Sequence, residues 1–80
     1  MNEINTTDIG LAATIALNEP LVRITKEKDR GTFYFADNPN VRNVIDSYWK
    51  GECLVEPQMF FSKVKNLKSR ISDAAKNTNI

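Results

Sequence analysis

A run of five residues, Thr32-Phe33-Tyr34-Phe35-Ala36, limits the fold of this chain more than any other stretch. Aromatic and β-branched side chains in succession suit a pleated strand, whose alternate residues point to opposite faces. Upstream, Leu21-Val22-Arg23-Ile24-Thr25-Lys26 alternates in the same way, with Glu27 to Arg30 between the two runs. The pair reads as a β-hairpin over Leu21 to Ala36. An even-length loop pairs Ile24 with Phe33, Val22 with Phe35, Arg23 with Tyr34 and Thr25 with Thr32, which gathers the apolar residues on one side. A slip of one residue would send half of them into water, so this register is expected. The loop lacks an Asn-Gly or Asp-Gly pair, which favours a four-residue turn, Glu27 to Arg30 ahead of Gly31, over the two-residue turn Lys28-Asp29. A lone ribbon cannot bury one face, so helices on either side must cover it.

Those helices are marked by their ends. After Met1 to Asn5, which reads as a loose terminus, a threonine serves as N-cap and Asp8 lies near the positive end of the helix dipole. The helix runs from Ile9 to Leu17 and stops at Asn18-Glu19-Pro20. It is apolar almost all round, so it is either buried on several sides or placed at an interface, with Leu11 and Ile15 as candidate contact residues. Gly10 and the alanines permit close approach of another backbone. Asn38 as N-cap and Pro39 at the first helical position open a second helix. Its stripe is Val41, Val44, Ile45 and Tyr48, its wet side Arg42, Asn43 and Asp46, and its end Lys50-Gly51.

The next segment, Glu52-Cys53-Leu54-Val55, reads either as a short third strand on the hairpin edge or as an extended linker. Glu56-Pro57 opens the last helix, in which Phe60, Val64, Leu67, Ile71 and Ala74 or Ala75 keep a helical period. Phe61 lies beside that stripe, and Lys63, Lys65, Lys68, Arg70 and Lys76 occupy the remainder. The expected fold class is therefore α+β: one small domain over residues 6–76, ordered helix, hairpin with or without a third strand, helix, helix, with the helices packed on the sheet. Residues 1–5 and 77–80 are expected to be flexible.

Composition narrows the chemistry. A single core in an 80-residue chain supplies only about 3–5 kcal/mol. The lone Cys53 excludes an internal disulfide, and a chain without histidine has no Cys/His cluster for zinc, so no metal and no cofactor are expected. Cys53 reads as a small buried residue. The three glycines form no phosphate-binding or dinucleotide-binding loop. No two carboxylates recur at a spacing that forces them together for acid–base work, and Asp37 and Asp46 read as a turn residue and a solvated helix residue. A non-enzymatic protein is expected. No stretch approaches the roughly twenty apolar residues of a membrane span, and Met-Asn-Glu-Ile-Asn does not begin a signal peptide, which points to a soluble cytoplasmic protein without a membrane partner.

The order of the turn and core residues carries a resemblance. Thr7-x-x-x-Leu11-Ala12-Ala13, Pro20-Leu21, Phe33-Tyr34-Phe35-x-Asp37-x-Pro39, Tyr48-Trp49-x-Gly51, Val55-x-Pro57-x-x-Phe60-Phe61 and Leu67-Lys68 resemble a family of small bacterial, archaeal and phage proteins known only as a domain of unknown function. The likeness spans residues 6 to 72. It implies a stand-alone domain with these limits, and it lends no catalytic or binding residue.

Two kinds of partner fit the remaining signals. Trp49 lies at the boundary of the second helix's apolar face, and Met59 and Phe61 flank the stripe of the last helix, so these three, with Leu11 and Ile15, are candidates for contact with another protein or a second copy. Nucleic acid is the alternative. The net charge is only +1, but residues 63–80 carry five cations and one acid, whereas residues 1–62 carry six cations and nine acids. Lys65, Lys68 and Arg70 would contact phosphates, with Arg23 and Tyr34 on the polar face of the hairpin. Phe33 and Phe35 share the core side of that hairpin, which leaves Tyr34 as its one exposed aromatic.

Overall fold

The computed structural model describes residues 2–28 and 30–77, and their side chains as far as residue 73. The order of elements is β1 (Glu3–Thr6), α1 (Ile9–Ala16), β2 (Leu21–Glu27), β3 (Arg30–Ala36), α2 (Pro39–Lys50) and α3 (Pro57–Asn77). The aromatic strand β3 is the centre of a three-stranded antiparallel sheet ordered β1-β3-β2. Phe33 and Phe35 on one side of it are buried, while Tyr34 and Thr32 on the other are partly open.

The hairpin register agrees with expectation at Ile24–Phe33, Arg23–Tyr34 and Thr25–Thr32. It departs at Val22, where a bulge inserts one extra residue and brings Leu21 opposite Phe35. Leu21 packs against the core, and Val22, expected inside, is 48% exposed. The expected four-residue turn is also corrected: Glu27 pairs with Arg30, which leaves a two-residue loop. Lys28 supplies the positive φ, 58°, that tight hairpin turns need and that asparagine or glycine would adopt with less strain.

The third strand comes from the N-terminus. Residues 3–5, expected to lie outside the fold, pair with β3 as Glu3–Ala36, Ile4–Phe35 and Asn5–Tyr34, continuing to Thr6–Phe33. Glu52 to Val55 belongs to no strand and is an extended connector. The passage from β1 to α1 is fixed by two side chains: Thr6 Oγ1 accepts from the Asp8 amide at 3.1 Å, and Asp8 Oδ1 accepts from the Leu11 amide at 3.1 Å. Asp8, rather than a threonine, is thus the N-cap.

All three helices cover the Phe33/Phe35 face. Leu11, Ala12, Ala13 and Ile15 of α1, Val41 of α2 and Leu67 of α3 join the two phenylalanines in one buried cluster. Leu11 and Ile15 are therefore core residues and present no contact surface, which corrects their candidacy as an interface. Thr14, also buried, satisfies its hydroxyl on the Gly10 carbonyl at 2.8 Å. The caps of α2 are as expected: Asn38 Oδ1 accepts from the Val41 amide at 2.9 Å, and Gly51 takes a left-handed φ of 73°. Helix α3 passes so close to the hairpin that a Cβ on Gly31 would lie 2.6 Å from Ile71 Cδ1. The stripe Phe60, Val64, Leu67 and Ile71 faces the core. Ala74, Ala75 and Lys76 lie outside the described side chains, and residues 78–80 outside the described chain.

Candidate functional site

The largest uncovered apolar side chains gather where α2 gives way to α3. Gly51 ends α2, with its amide donating to the Tyr48 carbonyl at 3.1 Å and that of Glu52 to Ser47 at 2.9 Å. Five residues later Glu56 caps α3, its carboxylate accepting from the amides of Gln58 at 2.9 Å and Met59 at 3.0 Å. Each helix end carries an aromatic pair split between core and water. Tyr48 packs against the core while Trp49 is 65% exposed, the rings meeting edge-on at 5.1 Å. Phe60 packs inward while Phe61 is 62% exposed, with centroids 5.6 Å apart. Between them Leu54 is 94% exposed and Val55 is also open.

Met59, 57% exposed, stands on the other flank of α3 from Phe61. At about 100° per residue the two side chains point roughly 160° apart. Met59 lines a shallow groove of about 600 Å³ with Leu17 at the end of α1 and Ser62, Lys63 and Asn66 on α3. The structure therefore leaves Trp49, Met59 and Phe61 uncovered, but it does not turn them to one side. Leu54 and Val55 escape sequence reasoning because a four-residue apolar-containing segment fits a strand as well as a connector. The available signal was an apolar pair flanked closely by two glutamates, Glu52 and Glu56.

The nucleic-acid candidates separate into two groups. On the open face of the sheet the Arg23 guanidinium lies 3.8 Å over the Tyr34 ring and ties to Glu3 Oε1 at 2.9 Å. The arginine thus spans the sheet from edge strand β2 across β3 to β1. One face of the ring is occupied by it, which removes the stacking platform. Lys65, Lys68 and Arg70 are exposed on α3, which packs on the opposite side of the sheet. Arg23 and Tyr34 therefore do not share a surface with them. Within α3, Lys65 and Lys68 follow Phe61 at i+4 and i+7, whereas Arg70 follows Met59 and Lys63 on the other flank.

Other polar groups are engaged in holding the fold. Beside the Val22 bulge, a concavity of about 510 Å³ is lined by Val22, Ala36 and Pro39 and edged by Glu3, Asp37 and Arg42. Arg42 grips Asp37 through Nε to Oδ1 at 2.6 Å and Nη2 to Oδ2 at 2.8 Å. This hydrogen bonding, helped by the guanidinium's charge, holds the Asp37 carboxyl below the ordinary carboxylate range and raises Arg42. The Tyr48 hydroxyl points at the Asp8 carboxylate at 3.4 Å, and burial, followed by that neighbouring charge, pushes the phenol up. Cys53 is a half-buried free thiol. Among the described residues no group of histidine, cysteine and carboxylate side chains is gathered to hold a metal ion. No helix of the described residues is long and apolar enough to cross a membrane.

Fold and surface together define a small α+β domain: a three-stranded antiparallel sheet with helices on one face and an apolar corner left in water. Residues 1–73 match the family described as a domain of unknown function (DUF5659), and the chain belongs to that family. The match includes β1, which lies mostly ahead of the residues that carry the resemblance in the sequence. No curated protein and no solved structure matches the chain.

Proposed function

We propose that this protein is a non-enzymatic binding module of the cytoplasm whose contact surface is the α2–α3 corner, and that the first occupant of that surface is a second copy of the chain. One observation carries the reading. Among the described residues, five of the six exposed large apolar side chains fall within residues 49–61: Trp49, Leu54, Val55 and Phe61 where α2 gives way to α3, and Met59 on the far flank of α3. Scattered exposed apolar residues are normal, but a concentration of aromatic and aliphatic side chains is what protein contacts use. Trp49 is the natural anchor, because tryptophan heads the residue types that dominate interface energies. A net charge of +1 supplies little repulsion to keep two copies apart. The non-enzymatic part is supported by the carboxylates that could be brought together: Glu3, Asp8 and Asp37 are engaged by Arg23, the start of α1 and Arg42 respectively.

Sedimentation equilibrium from micromolar to millimolar concentration tests the reading. The protein should pass from monomer to dimer, and the double variant Trp49→Ser, Leu54→Ser should stay monomeric with an unchanged melting temperature at low concentration. A wild-type chain that remains monomeric throughout, or a double variant that dimerises equally well, would overturn pairing at the corner.

A further inference from the structure

We infer that the solvent side of α3 binds duplex DNA by lying in the major groove, a role that stands on this helix alone and not on pairing at the corner. From Pro57 to Ser72 the sequence holds no acidic residue. With the apolar stripe turned to the core, Ser62, Asn66 and Ser69 follow one another along the outward ridge, which ends at the exposed Asp73. Cations stand on both sides of that ridge: Lys65 and Lys68 on one, Lys63 and Arg70 on the other. This is the layout needed by a helix between two phosphate backbones. Short amide and hydroxyl side chains face the base edges, and charged side chains reach out to either strand. A helix about 10–12 Å across fits a groove about 12 Å wide.

The charges are also available. Arg23, Arg42 and Lys50 are held by Glu3, Asp37 and Asp46, whereas among the described residues the cations of α3, like Lys26 and Lys28 of the hairpin, take part in no ion pair. Competing anionic surfaces fit less well. A membrane would need an apolar stripe exposed along the helix, whereas beyond Met59 and Phe61 in its first turns the apolar residues of α3 face the core. A single strand would stack on an open aromatic ring, and with Tyr34 carrying Arg23 the one such ring on α3 is Phe61, a turn before Lys65, so a single strand is the competitor that the test has to exclude.

The test is fluorescence anisotropy of the full chain with a mixed-sequence duplex of about 20 base pairs, titrated between about 50 and 200 mM salt. Three to four phosphate contacts predict a slope of roughly −3 in log affinity against log salt. Lys65→Glu with Lys68→Glu should cut affinity at least about tenfold, while Lys26→Glu with Lys28→Glu on the hairpin should change it less than about twofold. Circular dichroism checks that both variants keep the fold. No binding at the lowest salt, equal loss in the two charge-reversed variants, or displacement of the duplex by polyglutamate at equal charge would each overturn the inference. Equal displacement by a single strand of the same sequence would exclude groove binding.

Discussion

Helices α1 and α3 both pack on the Phe33/Phe35 face of the sheet, yet they use their sequences in opposite ways. The eight residues of α1 contain no charged side chain, and five consecutive ones, Leu11 to Ile15, are buried. The 21-residue α3 buries only Leu67 completely among its described side chains and presents cations and small polar groups to water. Full enclosure of a short helix places stability there, since each buried aliphatic side chain contributes about 1.5–3 kcal/mol. Partial enclosure of a long helix leaves a surface free for recognition. In this domain the sheet and α1 hold the fold, while the start and outer side of α3, with the end of α2, stay open to water, which is where the proposed binding surfaces lie.

The largest effect is expected in the core. Phe33→Ala, at the centre of the sheet beneath α1, removes a fully buried ring. It should destabilise by about 3–5 kcal/mol, as much as the whole net stability of a domain this small, so circular dichroism should find the variant unfolded at room temperature. Retention of a cooperative melt would place the core elsewhere. A smaller effect sharpens the seam between hairpin and α3. Gly31→Ala drives a methyl into Ile71 and should cost about 1–3 kcal/mol in urea denaturation. Adding Ile71→Ala, which removes the clashing atoms, should make the pair less destabilised than the sum of the single changes, by about 1 kcal/mol or more. Simple additivity would mean that α3 does not rest on the hairpin at Gly31.

Much of this architecture is legible in the sequence, and the parts that are not have local physical reasons. Alternation over Arg23 to Thr25 and over β3 specifies the register, because one face is apolar and the other is not. Asn38-Pro39 and Gly51 bracket α2 through hydrogen-bonding and φ requirements that belong to those residue types. Strand β1 is harder to see: four residues with one apolar side chain, Ile4, become a strand only because β3 offers a free edge. The bulge at Val22 is likewise tertiary, since nothing local tells whether Leu21 or Val22 sits over Phe35. From sequence the apolar helix α1 favours core over interface, and the convergence of α2, α3 and the sheet decides for core. The surface candidates divide in the same way. Trp49 and Phe61, whose boundary positions fit burial against the sheet better than exposure, stand in water, whereas the stacking role considered for Tyr34 meets Arg23, whose position depends on Glu3 across the sheet.

The division of labour rests on the corner's apolar side chains being uncovered rather than structural, and urea denaturation of the triple variant Trp49→Ser, Leu54→Ser, Phe61→Ser at a concentration where the chain is monomeric tests that most directly. The stability should stay within about 0.5 kcal/mol of the unmodified protein, as for other exposed positions. A loss of about 2 kcal/mol or more would show that these side chains belong to the core and would contradict it.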